Sequence, residues 1–304
     1  MANVKELRGR IKSVGNISKI TKAMEMVASM KLRKVQNRAL ASRPYTEELI
    51  GMLGHLADHV GQDANRPLFQ RRDVKNVGVL VISSDRGLCG AYNANVMAQV
   101  TRMRAALEAE GRDIGLKFYV VGKKGYTWLG RRGYQVERFY AEPTLEALSF
   151  DTARLASRDL VEAFETGAID EARLMFTAFR SAARFEPRND VFLPVTSDLG
   201  AFAGPQAGAG ERPTDASADT SYLLEPDADA IFDRIVPKYL ETVIYDAMMS
   251  SLASEMASRR MAMKGATDAA TRMGKELKRI YNRARQESIT KELLDIVGGA
   301  SAIS

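Results

Sequence analysis

The chain has 304 residues, 45% of them apolar and 27% charged, with a formal net charge of +6 and a pI of about 9.3. That suffices for one or two domains of ordinary soluble composition, and 7% aromatics beside 14 methionines favours long, adaptably packed helices over a β-sandwich. A lone cysteine, Cys89, excludes an internal disulfide or dithiol switch. No apolar run reaches the ~18 residues of a membrane span, and MANVKELRGR lacks a signal-peptide pattern, so a bacterial cytoplasmic protein or a processed organellar one is expected.

The nine prolines leave residues 1–43 and 238–304 free of them, and these terminal runs carry helical periodicity. In the first, Asn3 and Glu6 have capping-box spacing. Val4, Leu7, Ile11, Val14, Ile17, Ile20, Met24 and Val27 recur at steps of three and four, a narrow stripe like a coiled-coil seam. Pro44 is expected to bend the helix or end its straight part, with Gly51, Gly54 and Gly61 marking its fading. About 55 helical residues make a rod of roughly 80 Å. Residues 1–43 hold 11 Lys/Arg against 2 Glu, either a solvated face or a surface for an anionic partner.

The middle changes period. VGVLVISSD (77–85), LKFYVVG (116–122), YQVERFY (134–140) and ARLMFTAFR (172–180) read as strands, alternating with helical stretches near 94–110, 123–131 and 145–166. Residues 199–221, rich in Gly, Ala, Pro and small polar residues, read as a flexible linker. The last run is expected to begin near Pro226, with Asp227 and Asp229 at its positive end and a kink at Pro237. One apolar stripe runs Ile231, Ile235, Tyr239, Val243, Met248, Leu252, Met256, and Met273, Leu277, Ile280, Ala284 continue it to a stop at Gly298 and Gly299.

The fold class expected is α/β with long terminal helices: an antiparallel coiled coil of the N- and C-terminal helices around a small, mostly parallel α/β domain. Its divisions are 1–60, 74–198, 199–221 and 222–304. The C-terminal helix, longer by about 15 residues, should project roughly 20 Å past its mate as a single tip.

Little here suggests catalysis. The loop SSDRGLCGAYN (83–93) follows a strand and precedes a helix, where α/β folds often bind ligands, but Gly87 and Gly90 match neither G-x-G-x-x-G nor a P-loop. A tight glycine turn is the better reading. His55 and His59 have the i, i+4 spacing of a helical zinc site without its glutamate, and are the only two histidines. Cys89 has no His or Asn partner motif. No catalytic residue, metal or cofactor is expected. The basic helix lacks aromatic platforms for nucleic acid, and its apolar stripe is mostly Ile, Val and Met rather than the Trp, Phe and Leu of a membrane-surface helix, so neither nucleic-acid binding nor direct membrane insertion is expected.

Four segments, in order, carry a resemblance. RIKSVGNISKITKAMEMVASMKLRKVQ (10–36), SSDRGLCGAYN, SEMASRRMAMKGATDAA (254–270) and YNRARQESITKELLDIVGGASA (281–302) are similar to F-type ATP synthase γ subunits. The last contains Ile289, Thr290, Glu292, Asp295, Gly299 and Ala300 in that family's spacing. The resemblance implies a non-catalytic rotor, one copy per complex, peripheral on the cytoplasmic side of the bacterial cell (inner) membrane. Its coiled coil would stand inside an α3β3 hexamer, and its foot would meet the ε subunit and the membrane c-ring. It further implies contacts to the catalytic subunits at Met24, Arg285, Gln286 and Thr290. An apolar tip bearing is implied at Leu293, Leu294, Ile296 and Val297, and a foot contact at Tyr222. The chain departs from the family at Ile17, where the family has Thr, and lacks the chloroplast regulatory insert. Gly265 and Gly274 mark either close helix approach or torsional compliance.

Overall fold

In a computed structural model the described residues are 4–60, 66–111, 113–195 and 227–301. The expected linker at 199–221, Tyr222, and Asn3 of the capping box lie outside them. The chain divides into two compact units, one of residues 31–258 and one of residues 1–30 with 259–304.

The larger unit holds a five-stranded sheet in the order β3-β2-β1-β4-β5. Strands β1 (Asn76–Ile82), β2 (Gly115–Val121), β3 (Val136–Tyr140) and β4 (Glu171–Phe179) are parallel neighbours, and β5 (Phe185–Leu193) returns antiparallel along β4. Helices α2 (Tyr92–Ala109), α3 (Lys123–Gly130) and α4 (Phe150–Glu165) connect the parallel strands. Four strands fall where the alternation placed them. The fifth, FEPRNDVFL, was not anticipated. Pro187 and the charges at Glu186, Arg188 and Asp190 hide it, and as an edge strand half-buried on both sides it shows no clean two-residue alternation.

Both faces of the sheet are covered, which is why its inner strands read as unbroken apolar runs. Val77, Val79, Val81, Phe118 and Val120 pack against Tyr92, Val96 and Val100 of α2 and Leu129 of α3. Leu80, Ile82, Val121 and Leu174 pack on the other side, with Leu160 and Phe164 of α4. That second core also takes in the inner parts of the terminal helices α1 (Val4–Val60) and α5 (Ala228–Ser301). From α1 come Leu32, Val35, Leu49 and Leu53, and from α5 Leu240, Ile244, Met248 and Leu252.

Neither proline breaks its helix. Pro44 and Leu40, whose carbonyl loses its partner, are both exposed, so water can serve that carbonyl, and α1 continues to Val60. The helix α5 likewise runs through Pro237. It starts at Ala228, capped by Asp227, whose Oδ1 accepts the Ala230 N–H at 2.7 Å. The expected stop at Gly298 and Gly299 is not taken. Glycine weakens a helix by about 1 kcal/mol relative to alanine but does not forbid it, and α5 reaches Ser301.

Within this unit Asp246 of α5 is half-buried, touched by the Thr46 hydroxyl at 3.5 Å. Desolvation outweighs that hydrogen bond and pushes its carboxyl from 3.8 up to about 6. The folded state therefore holds this proton more tightly than the unfolded chain does. Its stabilising contribution is complete below pH 3.8 and is lost as pH rises through about 6. Asp246→Asn should raise the unfolding free energy of the full chain at pH 7.5 by up to about 3 kcal/mol and leave it nearly unchanged near pH 3.5. Urea titrations at the two pH values check this.

The smaller unit is a two-helix coiled coil. Thr21 Oγ1 lies 2.8 Å from Thr267 Oγ1, Ser18 Oγ lies 3.5 Å from Thr271 Oγ1, and a Cβ on Gly274 would stand 3.8 Å from Val14. Rising numbers on α1 meet falling numbers on α5, so the helices are antiparallel, as expected.

The seam differs from the apolar stripe. On α1 it follows Leu7, Ile11, Val14, Ser18, Thr21, Glu25 and Ala28, and on α5 Met263, Thr267, Ala270, Gly274, Leu277, Tyr281 and Ala284, all buried or half-buried. Both alternate strictly by four and three, the 3.5-residue period of a left-handed coiled coil. The stripe Ile11–Val14–Ile17–Ile20 takes three successive steps of three and rotates off that line. Accordingly Ile17, Ile20 and Val27 are 51%, 59% and 44% exposed, and Met273 and Ile280 also face outward.

The hydroxyl pair at the seam centre contributes little stability, because each hydroxyl also bonds its own helix, Thr21 to Ile17 O and Thr267 to Met263 O. Replacing both partners by isosteric apolar residues removes two polar groups together. Thr21→Val with Thr267→Val should therefore stabilise the coiled coil by about 1 kcal/mol, read as a higher midpoint for loss of helix ellipticity.

Candidate partner surface and central loop

The loop between β1 and α2 is closed on itself. Ser83 Oγ donates to Val121 O and Gly122 O and accepts the Gly125 N–H at 2.8 Å. Asp85 accepts backbone N–H groups from Lys123 at 3.1 Å and Leu145 at 3.0 Å, one per oxygen. Ser84 donates to Arg86 O at 2.7 Å, its N–H reaches Asn93 Oδ1, and Asn93 Nδ2 reaches the buried Cys89 Sγ at 3.2 Å. Tyr92 is fully buried, and desolvation pushes its phenol well above the usual range. A phosphate cradle needs free N–H groups pointing outward. Here Ser83, Ser84, Asp85 and Asn93 staple three chain segments together, so the tight-turn reading of 83–93 stands. Ser258 of α5 adds a 2.6 Å hydrogen bond to Cys89 O.

Among the described residues no group of three His, Cys, Asp or Glu side chains could hold a metal ion. His55 and His59 fall in α1, with their side chains outside the described ones.

In the coiled-coil unit the outward residues include apolar ones (Ile17, Ile20, Met26, Val27, Met30) and basic ones (Lys12, Lys19, Lys22), with Glu6, Asp268, Glu276, Glu287 and Glu292 among them. Exposed apolar side chains grouped on one helix are a feature of interaction surfaces. Continuing the register, Val4 lies level with about Ala284, so residues 285–301 of α5 pass beyond α1. Arg285, Gln286, Thr290, Leu293, Leu294, Ile296 and Val297 are all exposed there, and Met24 is half-buried beside the seam. Of the residues that the resemblance singles out on the coiled coil, those from Arg285 to Val297 share the projecting end, whereas Met24 is level with about Lys264 and lies apart from them. Tyr222 lies outside the described residues. A Cβ on Gly274 would make only ordinary contact with Val14, at 3.8 Å, and one on Gly265 would meet nothing within 4 Å, so neither glycine marks a close helix approach.

A family model described as ATP synthase matches residues 3–303. The ATP synthase gamma chain of Heliobacterium modesticaldum is 38% identical over 304 residues, spanning all of both chains. That of Ralstonia nicotianae is 38% identical over 307 residues, again spanning both. The chain belongs to the ATP synthase gamma-chain family.

As a gamma chain it is a non-catalytic central-stalk subunit of a membrane-associated complex. Among its described residues no helix is long and apolar enough to cross a membrane. The gamma-chain fold recurs in a chain of the Euglena gracilis mitochondrial ATP synthase (OSCP/F1/c-ring, rotational state 3). The match has a TM-score of 0.62 at 20% identity, covering 99% of this chain and 94% of that one. A chain from the Tetrahymena thermophila assembly titled central stalk/cring matches at TM-score 0.58 and 23% identity, covering 81% and 99%.

Two features of this gamma chain escaped sequence reading. The outward apolar face of α1 was assigned to the seam, although the strict four–three alternation through Ser18 and Thr21 marks the seam. The serines in SSLAS (250–254) reach β4, which sequence does not show, because a mid-helix hydroxyl can as readily face solvent or bond its own helix.

Proposed function

We propose that this chain is the rotor shaft of an F-type ATP synthase, one copy per complex. It passes torque between a proton-driven c-ring and the catalytic β subunits of an α3β3 hexamer. It would sit peripherally on the cytoplasmic side of a bacterial cell (inner) membrane, with the ε subunit and the c-ring against the α/β unit. Nucleotide chemistry belongs to β. The turning shaft drives each β subunit in sequence through open, loose and tight states.

The observation that carries this reading is the antiparallel coiled coil whose α5 outruns α1 and presents Arg285, Gln286, Thr290, Leu293, Leu294, Ile296 and Val297 to the outside. An exposed basic and apolar shaft suits a collar whose contacts break every third of a turn, because solvated charges contribute about 0–1 kcal/mol each and reform cheaply. In this reading Met24, Arg285, Gln286 and Thr290 meet the catalytic subunits, the four apolar tip residues form a bearing, and Tyr222 meets ε or the c-ring. Functionally the chain divides into shaft helices 1–60 and 222–304, a foot at 74–198 and a linker at 199–221.

Co-purification of the tagged chain from its own cells tests the proposal. Recovery with three α and three β copies and ATPase activity is expected. Recovery of the chain alone, or with nucleic acid and no ATPase, overturns it.

A further inference from the structure

Strand β4 outlasts its neighbour. The pairing of β1 with β4 ends at Val81 and Met175, yet β4 continues to Phe179. In that stretch Thr177 stands opposite Pro187 of β5. Proline has no N–H, so this pair cannot exchange ladder hydrogen bonds, and Pro187 O is instead taken by the Gln99 side chain at 3.0 Å. The backbone groups of Thr177 and, two residues on, Phe179 therefore point away from β5, into the space where β1 has stopped. All are buried, and groups left open there would be costly.

Three serines of α5 occupy that space. Ser251 Oγ accepts the Thr177 N–H at 3.1 Å, Ser254 Oγ donates to Thr177 O at 3.1 Å, and Ser250 Oγ accepts the Phe179 N–H at 2.8 Å. One turn further Ser258 holds Cys89 O. The four side chains lie on one face of α5, no more than 4% exposed. A helix side thus does the work of the missing strand. Apolar packing alone lets a helix slide or turn about its axis against a sheet, whereas directional hydrogen bonds to fixed strand groups oppose both motions.

We propose that Ser250, Ser251 and Ser254 are the positioning residues that key α5 to the sheet, so that torque passes between the α/β unit and the helix at the open end of β4. This rests on the rotor reading, because only a turning shaft needs a joint that resists twist.

The test uses complexes assembled with the full chain carrying Ser250→Ala, Ser251→Ala and Ser254→Ala together, and with Ser251→Ala alone in case the triple variant assembles poorly. Hydrogen exchange of the Thr177 and Phe179 amides in the complex reports the joint. Protons pumped per ATP hydrolysed in reconstituted vesicles reports torque. That ratio is taken per assembled complex, so a loss of assembly alone does not move it. Exchange should rise about tenfold at those amides. The pumping ratio should fall severalfold while ATPase persists, most in the triple variant. Faster exchange with an unchanged ratio overturns the torque role, and unchanged exchange overturns the joint itself. A wild-type complex that hydrolyses ATP without pumping would count against the rotor reading instead.

Discussion

Gly122→Ala will destabilise the chain by about 3 kcal/mol or more, the largest single-residue effect expected anywhere in the α/β unit. Gly122 follows β2 with φ +93, a conformation side chains rarely adopt. A Cβ there would stand 2.0 Å from the Ser83 carbonyl oxygen and 2.7 Å from its hydroxyl. The first neighbour is backbone held in the sheet, since the Ser83 N–H bonds Val121 O at 2.8 Å, and it cannot retreat. The clash also spreads. Ser83 organises the start of α3 through Gly125, and the same loop holds α5 through Ser258 and Cys89. Urea unfolding of the full chain measures the loss. A change below about 1 kcal/mol would mean that the loop yields and the staple is soft.

Removing residues 285–304 should lower the ATPase of the assembled complex about tenfold or more, the change expected when a contact worth roughly 1.4–2 kcal/mol is lost. Every described side chain from Arg285 onward is exposed except the half-buried Ser288, so the deletion takes nothing from the core of the α/β unit. Assembly should persist while turnover falls. Replacing only Arg285 and Gln286 by alanine should reproduce much of the effect, because that pair reaches outward just past the end of α1. Unimpaired turnover in the deletion would show that the tip is not where this chain meets the catalytic subunits.

Much of the architecture was legible because it rests on patterning. Four strands of one-sided or unbroken apolar character, and two proline-free helical runs at the ends, follow from periods of two and about three and a half residues. What failed to show follows physically as well. β5 is an edge strand, so its polar residues meet water and its proline lies on the side with no ladder partner. Pro44 and Pro237 look like breakers in sequence, but inside a long helix held on both sides of the residue a single missing hydrogen bond does not end it. The seam was misplaced because hydrophobicity was followed where period should have been. Ser18, Thr21, Thr267 and Gly274 keep the heptad, and the more apolar Ile17, Ile20 and Met273 do not.

The displaced apolar residues bear on function. The seam mixes Leu7, Ile11, Val14, Met263, Leu277 and Tyr281 with Ser18, Thr21, Thr267 and Gly274, and leaves Ile17, Ile20, Val27, Met273 and Ile280 outward for whatever surrounds them. The loop 83–93, the most motif-like stretch, is bonded within the α/β unit, and in the proposed reading the partner contacts fall to long helical faces where no single residue stands out. For a subunit that turns inside its partners this distribution is expected, because a few deep anchors would stop it.

Rotation tests the central claim most directly. With α3β3 fixed to a surface, a bead is attached to this chain through a cysteine introduced at exposed Arg131, the native Cys89 being buried. The bead should turn in one direction on addition of ATP, pausing at each third of a revolution. ATP hydrolysed at the full rate with the bead stationary would contradict the rotor function.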